Sequence, residues 1–246
     1  GLRAGRLTSG RAPRRGWRGK RRGVAVPGVT SRGGGAAAAG EMRQAGDQIK
    51  ARKPLVVVMG AVAASGGYWV ATPGRWIVAR PGTLTGSIGV LSGKLVTGGL
   101  WEKLHARRET IVFGKHAAMS SDERAYSKEE RQIVKAEIDR IYGLFLDVVA
   151  RARGMTREEV HPIAAGRVWT GAQALERKLV DEMGGVEAGV RKARSLAGLP
   201  DRTRSRRVGG PRRFIPPDRR AAAPGDRGWA GGGGRRSEGG RGGTKR

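Results

Sequence analysis

The sequence predicts an α/β fold, and two observations support this prediction. Residues 55–59 form a short, continuous apolar run after a proline, as is typical of a strand buried on both faces of a parallel sheet. Between residues 127 and 153, apolar side chains recur every three or four positions, which predicts a long amphipathic helix. Strands that alternate with helices along one chain indicate a layered α/β architecture.

The segment after the first strand continues this alternation. Small residues dominate positions 60–71, and we expect a helix to begin near Ser65. Residues 75–79 predict a second strand, which a Pro-Gly pair closes. A further short strand is expected at residues 110–113, where Thr, Ile, Val and Phe follow one another.

The long helix has clear signals at both of its ends. Ser127 and Glu130 form a capping box at its start, and Gly154 supplies its stop. The apolar residues that recur along it are Val134, Ile138, Ile141, Phe145 and Val148. The predicted helix therefore extends from Ser127 to about Arg153.

Three shorter helices are predicted after it. Capping boxes at residues 156–159 and 170–173 open the first two, and we expect Pro162 to distort the helix that follows the first box. Apolar residues at helical spacing between 186 and 196 predict the last helix before Gly198.

The net charge of +28 is concentrated at the two ends of the chain. Residues 1–52 carry +11 and residues 201–246 carry +10, whereas residues 53–200 carry only +7. The ends combine Arg, Gly and Pro with few apolar residues, so they cannot bury enough apolar surface to offset the entropy lost on ordering. We therefore predict a disordered basic segment over 1–28 and a disordered Arg/Gly/Pro-rich tail over 201–246.

The composition excludes several classes of protein and site. The chain has no cysteine, which excludes a disulfide scaffold, a Cys-ligated zinc site, an iron–sulfur cluster and a cysteine nucleophile. The chain has no run of 18 apolar residues, so no transmembrane helix is predicted. No apolar core of a signal peptide follows the basic N-terminal residues. The spacing of histidines and carboxylates suggests no metal site, and we expect no cofactor.

Ser65 is a candidate nucleophile because it is followed by two glycines between a predicted strand and a predicted helix. A nucleophile needs its Oγ exposed on a tight turn, with small neighbours that let a substrate approach. The backbone N–H that follows it, at a helix N-terminus, can stabilise an oxyanion. An ordinary helix N-cap serine explains the same pattern, so composition alone leaves both interpretations open.

Four segments, in order along the chain, resemble the signal peptide peptidase SppA (protease IV) family of serine peptidases. These segments are residues 53–68, 81–90, 166–171 and 179–185. The resemblance predicts an SppA-like serine peptidase domain over residues 29–200, incomplete at its N-terminus. It implies a ClpP/crotonase-like fold of stacked ββα units and a Ser/Lys dyad. It also implies oligomeric assembly and cleavage of peptides, with membrane-embedded signal-peptide remnants as usual substrates.

The resemblance assigns roles to individual residues. Ser65 takes the place of the nucleophilic serine, and Gly66 offers the first oxyanion N–H. The family has an upstream Asp-Ser-Pro-Gly-Gly segment whose glycines complete the oxyanion hole; here Gly33 and Gly34 match those glycines. Thr30 and Arg32 replace the Asp and the Pro, and the conformation of this turn is open.

The general base is not at its expected place. In short family members a lysine follows the serine by a little over fifty residues, and the aligned position here is Ala117. Lys115 is the nearest candidate, but two positions along a strand displace a side chain by about 6–7 Å. A serine without its lysine resembles instead the C-terminal half of a long-form member, whose lysine comes from the N-terminal half. His116 is a further candidate, although a lone histidine in a loop is more often an ordinary surface residue.

Two other classes of function stay open. The chain could be a catalytically inactive peptidase-like scaffold, because no base is identified in it. The Arg/Gly-rich residues 235–243 resemble tails that bind nucleic acid through charge, which predicts salt-dependent binding and no specific nucleic-acid partner. By resemblance we expect peptide substrates and membrane association. We also expect either a homo-oligomer or a complex with a lysine-bearing N-terminal half.

Overall fold

A computed structural model describes residues 23–203 of the chain. Most of the predicted N-terminal disordered segment and all but the first residues of the predicted tail lie outside this range. The Arg/Gly-rich residues 235–243, on which the nucleic-acid hypothesis depends, also lie outside it. None of the helices between residues 23 and 203 is long and apolar enough to cross a membrane.

A sheet of mostly parallel strands forms the centre of the described residues. Its strands are β1 Gly28–Ser31, β2 Val56–Ala64, β3 Trp76–Ala79, β4 Leu84–Gly86, β5 Val168–Thr170 and β6 Glu182–Met183. The long strand β2 pairs in parallel with β1, with β3 at its start and with β4 at its end. Strand β6 extends β3 in parallel, and β5 pairs with β4 in the antiparallel direction.

Helices connect these strands. They are α1 Ala36–Lys50, α2 Gly66–Ala71, α3 Gly98–Lys103, α4 Lys128–Arg153, α5 Arg157–Val160, α6 Gly171–Glu176 and α7 Val186–Leu196, with a 3-10 turn at His161–Ile163. Strands that alternate with helices around a parallel sheet confirm the predicted α/β class. The 3-10 turn contains Pro162, at the point where the sequence predicts a distorted helix.

The predicted limits of the long helix are confirmed. The Ser127 hydroxyl accepts the N–H of Glu130, and the Glu130 carboxylate accepts the N–H of Ser127, so the capping box closes reciprocally. At the other end Gly154 adopts a left-handed conformation with φ of 64°. The boxes at Thr156 and Thr170 form in the same way.

The first four residues of β2, at positions 56–59, are buried on both faces of the sheet, as the continuous apolar run predicts. Val57 and Met59 belong to the larger core cluster, together with Tyr68 of α2 and Phe145 of α4. Trp69 stacks on Phe145 in that cluster, with ring centroids 4.5 Å apart. On the other face, the smaller cluster holds Val56, Val58 and Val78 with the small residues Ala188 and Ala193 of α7.

The prediction of a strand at residues 110–113 is wrong. These residues form no regular structure, and the side chains of Ile111 and Phe113 are 80% and 89% exposed. The local sequence favours a strand, but a strand also needs a neighbour, and these residues have none among the described strands.

Regular pairing starts earlier than the predicted boundary at residue 29. Ala25 is buried and bridges to Leu55, and the carbonyl of Pro27 accepts the N–H of Val58. A proline has no N–H to donate to a neighbouring strand. At this position β2 requires only an acceptor, which the carbonyl of Pro27 provides. Residues 25–27 therefore extend the contacts of β1 backwards, alongside Leu55 and the start of β2.

Candidate active site

Ser65 lies at the sharp turn between β2 and α2. Its φ of 54° and ψ of −122° lie in a region that residues with a side chain rarely adopt. Two backbone hydrogen bonds hold it there: its N–H donates to the carbonyl of Gly86, and its carbonyl accepts the N–H of Trp69. A strained serine between a buried strand and a helix has the geometry of a nucleophile turn.

Glycines after Ser65 let a second turn approach α2 closely. A Cβ added to Gly67 would lie 2.8 Å from the carbonyl oxygen of Ser31, and one added to Gly66 would lie 3.2 Å from the nitrogen of Gly34. Real Cβ atoms do not tolerate the first of these distances. The turn after β1 therefore packs against the N-terminus of α2 only because these residues have no side chains.

Gly33 packs directly against the side chain of Ser65. Its φ is 124°, and an added Cβ would lie 2.9 Å from the Cβ and 3.2 Å from the Oγ of Ser65. The structure thus brings together Ser65 and the three predicted glycines at positions 33, 34 and 66, although β1 and α2 are separated by more than thirty residues of chain.

The backbone N–H groups of these glycines differ in their partners. The N–H of Gly33 donates to the Oγ of Ser31 at 3.2 Å. The N–H groups of Gly34 and Gly66 make no hydrogen bond within residues 23–203. The arrangement therefore offers two unpaired donors beside the serine, one from the turn after β1 and one from the first residue of α2.

Lys115 lies in an exposed ion pair with Glu129. Its Nζ is 2.9 Å from a carboxylate oxygen of Glu129, and 73% of its side chain is exposed. It follows the irregular residues 110–113, so no strand fixes its direction. The hydroxyl of Ser65 makes no hydrogen bond to any residue in the part of the chain that the structure describes.

Sequence reasoning missed two residues that shape this site. Gly86 supplies the carbonyl that receives the N–H of Ser65, and its own φ is 74°. Ser31 holds Gly33 through its hydroxyl, which accepts the N–H of Gly33 and donates to its carbonyl at 3.3 Å. The available signal was a serine two residues before a glycine pair, since serine side chains often bond to the backbone two residues on.

Comparisons with known proteins identify the family of this chain. Residues 47–200 match peptidase family S49. The chain is 36% identical over 178 residues to the chloroplastic Serine protease SPPA of Arabidopsis thaliana, covering 72% of this chain and 26% of the relative. It is 40% identical over 149 residues to Protease 4 of Salmonella typhi, covering 61% and 24%. The resemblance to the SppA (protease IV) family is thereby confirmed.

The chain spans about a quarter of the length of these two relatives. Among solved structures it is similar to a point mutant of ClpP1 from Listeria monocytogenes, with a TM-score of 0.45 and 16% identity over 67% of this chain and 75% of that chain. The match to peptidase family S49 covers more than half of the sequence and includes Ser65, and we therefore conclude that the chain belongs to this family.

Proposed function

We propose that this domain is a serine-type endopeptidase in which Ser65 is the nucleophile. The observation that carries the proposal is the strained Ser65 turn, with Gly33 packed against the serine side chain and the N–H groups of Gly34 and Gly66 beside it. This combination supplies a nucleophile and two backbone donors at one point. An ordinary N-cap serine would use its hydroxyl to accept a helix N–H, whereas Ser65 makes no side-chain cap.

In the proposed reaction the Oγ of Ser65 attacks the carbonyl carbon of a peptide bond, and its proton passes to a general base. The carbonyl electron pair moves onto oxygen, where the N–H groups of Gly34 and Gly66 stabilise the negative charge. When the tetrahedral intermediate collapses, the leaving amine takes the proton from the base and an acyl-enzyme forms. Water then hydrolyses this ester and regenerates the hydroxyl.

The base is proposed to be a lysine from outside residues 23–203, supplied by a lysine-bearing N-terminal half. Support comes from Lys115, the nearest candidate base in this chain, which is exposed and paired with Glu129. A lysine base has to be neutral near pH 7, which requires burial and the absence of a carboxylate partner. Lys115 meets neither condition in this structure, so it is the less favoured source.

The substrates and setting remain part of the proposal. We infer signal-peptide remnants or other peptides as substrates, at a membrane, in a homo-oligomer or with the lysine-bearing half. The support is membership of family S49 and the similarity to relatives named Protease 4 and SPPA. If no base is supplied, the same geometry describes an inactive scaffold.

The proposal is tested by labelling the full chain with a fluorophosphonate, which phosphonylates an activated serine with loss of fluoride. We expect labelling that Ser65→Ala abolishes and that the matched control Ser195→Ala, an exposed serine on α7, leaves unchanged. The assay is run with and without the N-terminal half of a long-form relative. Labelling that needs this half assigns the base to it, whereas labelling without it that Lys115→Ala abolishes assigns the base to Lys115. No labelling under any condition would favour the inactive scaffold.

A further inference from the structure

We propose that Ser31 is a positioning residue: its hydroxyl holds the turn after β1 so that the N–H of Gly34, rather than that of Gly33, faces the reacting carbonyl. This inference rests on the proposed function of Ser65. Ser31 itself does not touch the substrate. It acts through the backbone of the residues that follow it in the turn.

The hydroxyl of Ser31 contacts both polar backbone groups of one residue. It accepts the N–H of Gly33 at 3.2 Å and donates to the carbonyl of Gly33 at 3.3 Å. Gly33 needs such a restraint because its φ of 124° is one of many conformations open to a glycine. The N–H of Gly33 is therefore occupied, and the next donor along the turn is that of Gly34.

Arg32 provides no restraint of its own. A proline at this position would fix φ near −65°, but arginine leaves it variable. The side chain of Arg32 is exposed and makes no hydrogen bond or ion pair within residues 23–203, and its N–H has no backbone acceptor there. The two bonds between Ser31 and Gly33 are therefore the local interactions that define the turn.

The backbone of Ser31 is itself held by neighbouring elements, so the position from which its hydroxyl binds Gly33 is fixed. Ser31 pairs with Ala63 at the end of β2, and its carbonyl oxygen lies against Gly67 of α2. The nitrogen of Gly34 then lies 3.2 Å from the position that a Cβ on Gly66 would occupy. Ser31 thus couples the strand that leads into the turn to the helix that follows Ser65, and it sets the distance between the two oxyanion donors.

The test uses the full chain, in the presence of the N-terminal half of a long-form relative, with Ser31→Ala, Ser31→Thr and the double variant Ser31→Ala/Arg32→Pro. Two quantities are measured: the hydrogen-exchange rate of the Gly33 amide, and the rate constant for labelling of Ser65 by the fluorophosphonate. For Ser31→Ala we expect Gly33 exchange to accelerate and labelling to slow by about tenfold, less than the loss of an oxyanion donor itself. Ser31→Thr keeps a hydroxyl and is expected to retain both values.

The double variant separates positioning from general destabilisation. The pyrrolidine ring that Arg32→Pro introduces restricts the turn without restoring the lost hydrogen bond, so labelling should recover while Gly33 exchange stays fast. Gly33 exchange or labelling that is equal in Ser31→Ala and the wild type would overturn the inference. Absence of labelling in the wild type both with and without the N-terminal half would instead overturn the proposed function, and the exchange rates report on the turn independently of that outcome.

Discussion

Arg153 and Asp181 form a two-point ion pair that ties the end of α4 to the sheet. Two guanidinium nitrogens of Arg153 lie 2.6 and 3.0 Å from the carboxylate oxygens of Asp181, and only 8% and 18% of the two side chains are exposed. The carboxylate also accepts the N–H of Ile77 in β3, and Arg153 donates to the carbonyl of Lys178. Both charged groups of the pair thus have additional hydrogen-bond partners, as a buried ion pair requires.

Replacement of Arg153 by Ala should therefore destabilise the fold strongly. It leaves a largely buried carboxylate without its cation, which typically costs about 3–5 kcal/mol in the free energy of unfolding. The matched control is Arg140→Ala on the same helix, since Arg140 pairs with Glu137 in solvent and exposed pairs of this kind contribute little to stability. Urea unfolding monitored by circular dichroism measures both. Equal effects of the two substitutions would contradict this account.

The capping carboxylate of α4 makes stability depend on acid pH. Hydrogen bonds from Arg124 and from the N–H of Ser127 lower the pKa of Glu130 from its ordinary value of 4.5 to about 2. Because the folded pKa is depressed, the ionised group stabilises the fold above pH 4.5, and this contribution is lost as the pH falls from 4.5 towards 2.

The measurement is the free energy of unfolding of the wild type and of Glu130→Gln between about pH 7 and pH 2.5, an interval that spans most of this loss. Glutamine keeps the shape of the capping box but not its charge, so the advantage of the wild type should shrink over this interval. Glu129→Gln, at the exposed neighbouring position, serves as the control. A difference between wild type and Glu130→Gln that stays constant across the interval would argue against the assigned cause.

Gly33→Ala should abolish labelling of Ser65. The new methyl group would lie 2.9 Å from the Cβ of Ser65, and a φ of 124° is unfavourable for alanine, so the turn must move away from the serine. Gly35→Ala is the matched control because no atom lies within 4 Å of its added Cβ. We expect Gly35→Ala to be labelled like the wild type. If Gly33→Ala were labelled at the same rate, the packing of this turn against Ser65 would be refuted.

Gly60→Ala should destabilise the pairing of β1 with β2. An added Cβ at position 60 would overlap the hydroxyl oxygen of Thr30, and overpacking of this kind costs about 1–3 kcal/mol. Removal of the Thr30 side chain should relieve the clash, so the variant Gly60→Ala/Thr30→Ala is expected to be more stable than Gly60→Ala alone. Thermal unfolding of the wild type, the two single variants and the double variant gives the coupling energy. Additive effects would show that the two positions do not touch.

The helix ends could be predicted from sequence because their determinants are local. The capping box of Ser127 and Glu130 spans four residues, and Gly154 stops the helix by its own conformational freedom. The strand expected at residues 110–113 failed for the opposite reason. The apolar character of Ile111 and Phe113 could be read directly, but whether a neighbouring strand would cover them could not.

The candidate site shows the same division. Ser65 and the glycines at positions 33, 34 and 66 could be named from their motifs, whereas the contact between Gly33 and Ser65 depends on how β1 pairs with β2. The role of Ser31 depends on the same pairing, because a hydroxyl binds the backbone two residues on only in a suitable turn. Long-range pairing decides which of the locally recognisable residues meet.

The register of β1 on β2 is irregular at the site, and this has a consequence for how the protein can be studied. Val29 lies opposite Met59, and Ser31 lies opposite Ala63. The pairing therefore advances by two residues in β1 but by four residues in β2. A slipped strand would carry Gly33 away from Ser65 without necessarily changing the helix content. Covalent labelling of Ser65 therefore measures the fraction of molecules in which β1 has paired with β2 in the native register. In refolding experiments, the growth of labelling with time would give the rate of that pairing step.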